Sequence, residues 1–92
     1  MPMERSKEIK KEKIVRKVAG MTVPQQRIVY GYAHLMMSNS RRRAGLPALT
    51  QERPAPGQIV NVLMDIMEGA SQRELVCIWK FAKDVLKNFK VG

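Results

Sequence analysis

Four segments of this 92-residue chain carry apolar residues at helical spacing. The last is the clearest. Leu75, Ile78, Trp79, Ala82, Val85, Leu86 and Phe89 share an arc of about 120° on a helical wheel, a stripe of the kind that faces a core. Ser71-Gln-Arg-Glu74 stands just before the run with the S-x-x-E spacing of a capping box, so a helix is predicted over residues 72–90. Upstream, Ile59, Val62, Leu63 and Ile66, widened by Val60 and Met67, predict a helix over 58–68 that Gly69 ends. The turn between them is short, so the two are expected to fold back as an antiparallel hairpin. Thr22-Val-Pro-Gln25 also has capping-box spacing, with Pro24 in the first turn, where its missing N–H costs little. Ile28, Val29, Tyr32, Leu35 and Met36 carry that helix to about Met37. Gly31 weakens it by about 1 kcal/mol relative to alanine, and is expected where another helix comes close.

The first segment is the most polar. Residues 4–18 alternate lysine and glutamate, both good helix formers, and Glu12 to Arg16 is a correctly oriented i,i+4 pair. Apolar support comes only from Ile9, Ile14, Val15 and Val18, so a helix firm over Ile14–Val18 and frayed before it is predicted, stopping at Gly20. Between the second and third segments, residues 38–57 hold Gly45, Pro47, Pro54, Pro56 and Gly57, a density of breakers that predicts a long loop. The fold class expected is therefore all-α, a small helical bundle of about four helices with a long basic loop and an antiparallel C-terminal helix hairpin. Residues 1–20 form a basic N-terminal arm or helix and residues 21–92 the helical domain, with its loop at 38–57. Val76, Cys77 and Phe81 fall outside the core stripe of the last helix. Either residues 24–37 cover them or a second copy of the chain does, as a homodimer.

Charge changes the picture. Seventeen lysines and arginines against eight acidic residues leave a net +9, and the excess is concentrated in two blocks. The N-terminal block supplies Lys10, Lys11, Lys13, Arg16 and Lys17. The loop supplies Arg41, Arg42, Arg43 and Arg53 against Glu52. Local positive blocks attract polyanions, and guanidinium forks match phosphate or carboxylate oxygens. Arg73, Lys80, Lys83 and Lys87 form a secondary basic ridge beside the apolar stripe of the last helix, where lysine stems equally serve to cover the core edge. Only Gln72 and Arg73 at that helix's start could reach base edges, so major-groove reading by it is disfavoured.

Catalytic chemistry finds little to work with. There is one histidine, His34, and one cysteine, Cys77, on different predicted helices. Asp65 and Asp84 lack the clustered companions of a metal site, and no glycine-rich phosphate loop is present. The expectation is no enzyme, no metal, no cofactor and no small-molecule substrate. Apolar runs are far shorter than the roughly 20 residues of a membrane span, so no membrane association is expected. The basic start has no apolar stretch behind it, and a lone cysteine suits a reducing compartment, so the expected location is cytoplasmic.

The stretch Ser71-Gln-Arg-Glu-Leu-Val-Cys-Ile-Trp-Lys-Phe-Ala-Lys-Asp-Val-Leu-Lys87 resembles the closing helix common in small proteins of bacterial phages and mobile elements. That resemblance implies transcription or excision accessories, or inhibitors of host defence complexes such as anti-CRISPR proteins, and it assigns no residue a role. Two functions are therefore carried forward. One is a nucleic-acid-binding accessory or regulator that touches phosphates through its arm and arginine loop. The other is an inhibitor or adaptor that docks on a protein or nucleoprotein complex with the same arginines.

Overall fold

Reciprocal capping boxes set where the two long helices begin. The computed structural model describes residues 8–49 and 53–89. They form α1 (Lys11–Ala19), α2 (Val23–Arg43), α3 (Ile59–Ile66) and α4 (Gln72–Asn88), with one 3-10 turn at Pro56–Gln58 and no strand among the described residues. At the start of α2 the Thr22 N–H donates to Gln25 Oε1 at 3.1 Å, and the Gln25 N–H donates back to Thr22 Oγ1 at 3.4 Å. At the start of α4 the Ser71 N–H donates to Glu74 Oε1 at 2.9 Å while Ser71 Oγ accepts from the Glu74 N–H at 3.2 Å. Each box satisfies backbone donors that a helix start otherwise leaves open.

Side-chain amides then fix how the helices lie. Gln72, at the first position of α4, accepts from the Ile9 N–H at 2.5 Å and donates to the Ile9 carbonyl at 3.0 Å. This two-bond clasp sets the approach to α1 beside the start of α4, so the two helices run parallel. Gln25 donates to the carbonyl of Phe89 at 2.7 Å, placing the start of α2 at the end of α4. Tyr32 and Phe81 stack halfway along, with centroids 4.2 Å apart and planes 11° from parallel. α2 and α4 are therefore antiparallel. Gln26, buried like Gln25, donates to the carbonyls of Val18 and Met21 at 3.1 and 3.4 Å and so closes the end of α1.

The core is built from Ile14 and Val18 of α1, Val29 and Ala33 of α2, Leu63 of α3 with Met67 after it, and Leu75, Ile78, Ala82 and Val85 of α4. α1 and α2 each pack against both α3 and α4. α3 and α4 make few direct contacts, so the expected hairpin is joined by its turn, where Gly69 takes φ +80°, and held by the other two helices rather than by its own seam. The stacked Tyr32 covers Phe81, which answers from within the chain what lies over that face of α4.

Four sequence expectations change. α2 runs on through Arg43, so Ser38–Arg43, expected in the loop, are helical. Nothing in Ser-Asn-Ser-Arg-Arg-Arg breaks a helix, and basic residues in a last turn favour the negative end of its dipole. The stop comes at Gly45, φ +73°, whose N–H donates to the Arg42 carbonyl at 3.1 Å while the Leu46 N–H reaches back to Arg41 at 2.9 Å. That is a Schellman ending, and it needs a glycine at that position. Residues 50–52 of the expected loop and 1–7 of the expected arm lie outside the described residues. The buried stripe of α2 is Val29, Ala33 and Met37, not the one through Leu35, which is 62% exposed. On α4, Trp79 is only half-buried and Leu86 and Phe89 are exposed, because the nine-residue α1 and eight-residue α3 are too short to cover a seventeen-residue helix. Gly31 has no atom within 4 Å of where a Cβ would stand, so it admits no neighbouring helix.

Replacing Ile78 by alanine should cost about 2–5 kcal/mol of stability, as expected for a fully buried aliphatic. Gln26→Ala should cost about 1–3 kcal/mol, because it removes two hydrogen bonds made by a buried amide, although the Val18 carbonyl keeps the Met21 N–H. Urea unfolding followed by circular dichroism measures both. A Gln26→Ala change within about 0.5 kcal/mol of wild type, the range of inert surface substitutions, would show that the amide does not hold the α1–α2 joint.

Candidate functional site

The parallel pairing of α1 with α4 brings two lysine rows to one aromatic ring. Lys10, Lys13 and Lys17 recur at intervals of three and four along α1, and Lys80, Lys83 and Lys87 do the same along α4, with Arg73 one two-turn step earlier. Burial of Ile14 and Val18 turns the α1 row toward the rim it shares with α4. The ammonium groups of Lys13, Lys17 and Lys83 stand 4.9, 5.1 and 5.8 Å from the centroid of Trp79. Each such contact is worth about 0.5–1 kcal/mol at an exposed site, and the ring's electron-rich face moderates the repulsion among them.

No described acid stands within ion-pair distance of this cluster. Among the described residues the one ion pair within 4 Å is Lys11 with Glu68, which joins α1 to the turn after α3. That contact, a hydrogen bond to the Glu68 carboxylate, raises the Lys11 pKa above its ordinary value. Lys11 is thus engaged within the fold. Arg16 is exposed on α1 but lies about 100° round the helix from Lys17. Lys10, Arg73, Lys80, Lys83 and Lys87 are exposed.

The three consecutive arginines are not one surface. In a helix, successive residues point about 100° apart, and the last turn of α2 sends each to a different place. Arg41 folds back to donate through Nε to the Pro47 carbonyl at 2.6 Å. Arg43 borders a shallow recess with Tyr32, Leu35, Met36 and Asn39, and its charge reaches Glu74. Arg42 turns to the other side, where with Arg27 and Arg53 it borders a cleft of about 490 Å³ that opens over Gly31. Arg27 also donates to the Pro54 carbonyl at 3.1 Å, which ties the returning loop to α2. Tyr30 and His34 line the same cleft with centroids 5.7 Å apart, and Ser38 Oγ is 3.5 Å from His34 Nδ1.

Sequence reasoning named the lysines and arginines but did not see which would meet. Trp79 was assigned to the core because it lies on the apolar stripe. The available sign was local: lysines one and four residues after the tryptophan, on the flank of that stripe. Arg27 and Gly31 carried no signal for a cleft, which depends on where Arg53 and Pro54 return. Gln72, a candidate for touching base edges, is engaged by Ile9.

No family model, curated protein or solved structure matches this chain. No helix among the described residues is long and apolar enough to cross a membrane.

Glu74 links the capping box of α4 to the end of α2. Burial pushes its carboxyl upward, but the Ser71 N–H, the Ser40 and Ser71 hydroxyls and the Arg43 charge outweigh that and hold the pKa below its ordinary value. A depressed folded pKa means stability that is fully present above the unfolded value, about 4.3, and is lost as pH falls through the folded one. Wild type should therefore melt at a higher temperature than Glu74→Gln at pH 7, and the gap should close under acid. Thermal melts of both proteins at neutral pH and near pH 3 check this. A gap that persists undiminished in acid would assign the effect to shape rather than charge.

Proposed function

We propose that this chain is a small nucleic-acid-binding accessory or regulatory protein that grips phosphates along the lysine-lined rim between α1 and α4. The observation that carries the reading is the meeting of Lys13, Lys17 and Lys83 over Trp79 with no carboxylate among the described residues paired to them. Cations held together without counter-charge form a local field that a phosphate backbone relieves, and each contact releases condensed counterions. Lys10, Lys80, Lys87 and Arg73 extend the same rows and would follow the strand in both directions. Contacts of this kind position a nucleic acid without reading its sequence. The engagement of Gln72 by Ile9 supports the same conclusion, since it removes an amide that could have touched bases. The half-buried Cys77 is a free thiol, in keeping with work in a reducing cytoplasm. The resemblance of the closing helix to those of phage and mobile-element proteins fits an accessory role.

A second reading is an inhibitor or adaptor seated on a nucleoprotein complex, for example an anti-CRISPR or other anti-defence protein. It is favoured by Leu35 and Leu46, 62% and 53% exposed near the arginines of α2. In that case the basic rim would meet nucleic acid only within the partner.

A gel shift with nonspecific duplex DNA and RNA distinguishes the two. If about four phosphates are contacted, affinity should fall about a hundredfold between 50 and 200 mM salt. Lys17→Glu combined with Lys83→Glu should weaken binding about tenfold or more at low salt with the helical circular dichroism unchanged. Binding that ignores the charge reversals would remove the rim from the function. No binding to either duplex at low salt would favour the docking reading.

A further inference from the structure

We infer that the cleft over Gly31 is a second site, separate from the lysine rim, that binds a 5′-phosphorylated nucleotide. Its lining combines three arginines, Arg27, Arg42 and Arg53, with no acidic residue among the described residues. Guanidinium forks recognise phosphate oxygens through paired charge-assisted hydrogen bonds. Arg27 is already oriented by the Pro54 carbonyl, and Arg42 sits in the last turn of α2, where the helix dipole favours a cation. The three arginines thus stand at one cleft with no carboxylate among its described lining residues.

The rest of the cleft fits a planar, partly apolar body. Its volume of about 490 Å³ is far more than a bare phosphate needs and lies within the roughly 300–1,000 Å³ of small-ligand sites. The rings of Tyr30 and His34 and the side chain of Leu35 offer faces on which a base can lie, and the Ser38 hydroxyl offers a polar rim.

Gly31 is the observation that ties these together. It stands in the interior of a 21-residue helix, where glycine costs about 1 kcal/mol relative to alanine. No turn requires it, and among the described residues no atom beyond its chain neighbours and its own stretch of helix backbone lies within 4 Å of a Cβ built there. Packing therefore does not account for the glycine, but a flat ligand lying against the backbone of α2 does. The same open space makes a clean test, because a side chain at position 31 should fill the cleft without disturbing the core and should raise helix propensity.

Two sources share this ligand chemistry, a free mononucleotide and the 5′ end of a strand. Calorimetric titrations should use adenosine 5′-monophosphate beside adenosine, and a 5′-phosphorylated tetranucleotide beside its 5′-hydroxyl form. They are run on wild type, on Gly31→Leu, on Arg42→Ala with Arg53→Ala, and on Lys17→Glu with Lys83→Glu. At least one phosphorylated probe should bind about tenfold or more tightly than its unphosphorylated partner. Gly31→Leu should abolish that preference with an unchanged or raised melting temperature, and the double arginine variant should abolish it too. The tighter of the two phosphorylated probes identifies the source. The lysine variant should keep the preference while losing duplex binding, so failure of the rim and failure of the cleft are read separately. The inference is overturned if the 5′-phosphate makes no difference for either probe, or if the preference survives either in Gly31→Leu or in the double arginine variant.

Discussion

The arrangement depends on the docking of α1. A nine-residue helix with three lysines and one arginine has no independent stability in water, because nucleation is costly and isolated helices this short do not persist. It is held by Ile14 and Val18, both wholly buried, with Ile9 beneath its start. At one end the Gln72 clasp fixes it to α4, and at the other Gln26 closes its last carbonyls. These contacts set its rotation as well as its position. Rotating α1 far enough to lift Ile14 from the core would carry Lys13 and Lys17 away from Trp79. The packing of two aliphatic side chains thus determines where the positive charge of this segment is presented.

What was legible in the chain follows from how local each signal is. Capping boxes are local, and Thr22–Gln25 and Ser71–Glu74 marked both helix starts correctly. The ending of α2 is also local, yet Gly45 was read as one breaker among several and not as the left-handed position of a Schellman motif. The four-helix count and the all-α class rested on periodicity and held. The core stripe was less secure, because periodicity tells which side of a helix is apolar but not how much of its length a neighbour covers. Leu86 and Phe89 share the stripe of Ile78 and remain exposed, since α1 and α3 are each about half the length of α4. Leu35 differs again: the real stripe of α2 runs through Ala33, a small residue that a hydrophobicity pattern underweights.

The candidate sites were legible as residues and not as places. Arg41, Arg42 and Arg43 are adjacent in sequence, and a loop could have aimed them together. A helix cannot, and it divides them among the Pro47 carbonyl, the cleft and Glu74. Lys13 and Lys17 are far in sequence from Lys83 and converge with it on Trp79. The difference lies in tertiary contact, which is set by the parallel α1–α4 pairing, and no composition count or charge block encodes that pairing.

How the chain accommodates a net +9 bears on both sites. Self-repulsion on this scale works against a compact state. Salt bridges could relieve it, but the described residues contain one, at Lys11. Arg43 also has the Glu74 charge within reach, but relief elsewhere comes from groups without net charge: the face of Trp79 under three ammoniums, the dipole at the end of α2 under Arg41 and Arg42, and the carbonyls of Pro47 and Pro54 under Arg41 and Arg27. A carboxylate in any of these places would bind its cation more strongly and cancel its field. Quadrupoles, helix dipoles and carbonyls steady the cations and leave the charge in place. A surface neutralised by acids would relieve more of the self-repulsion, and the uncancelled cations are what the proposed contact with an anion would use.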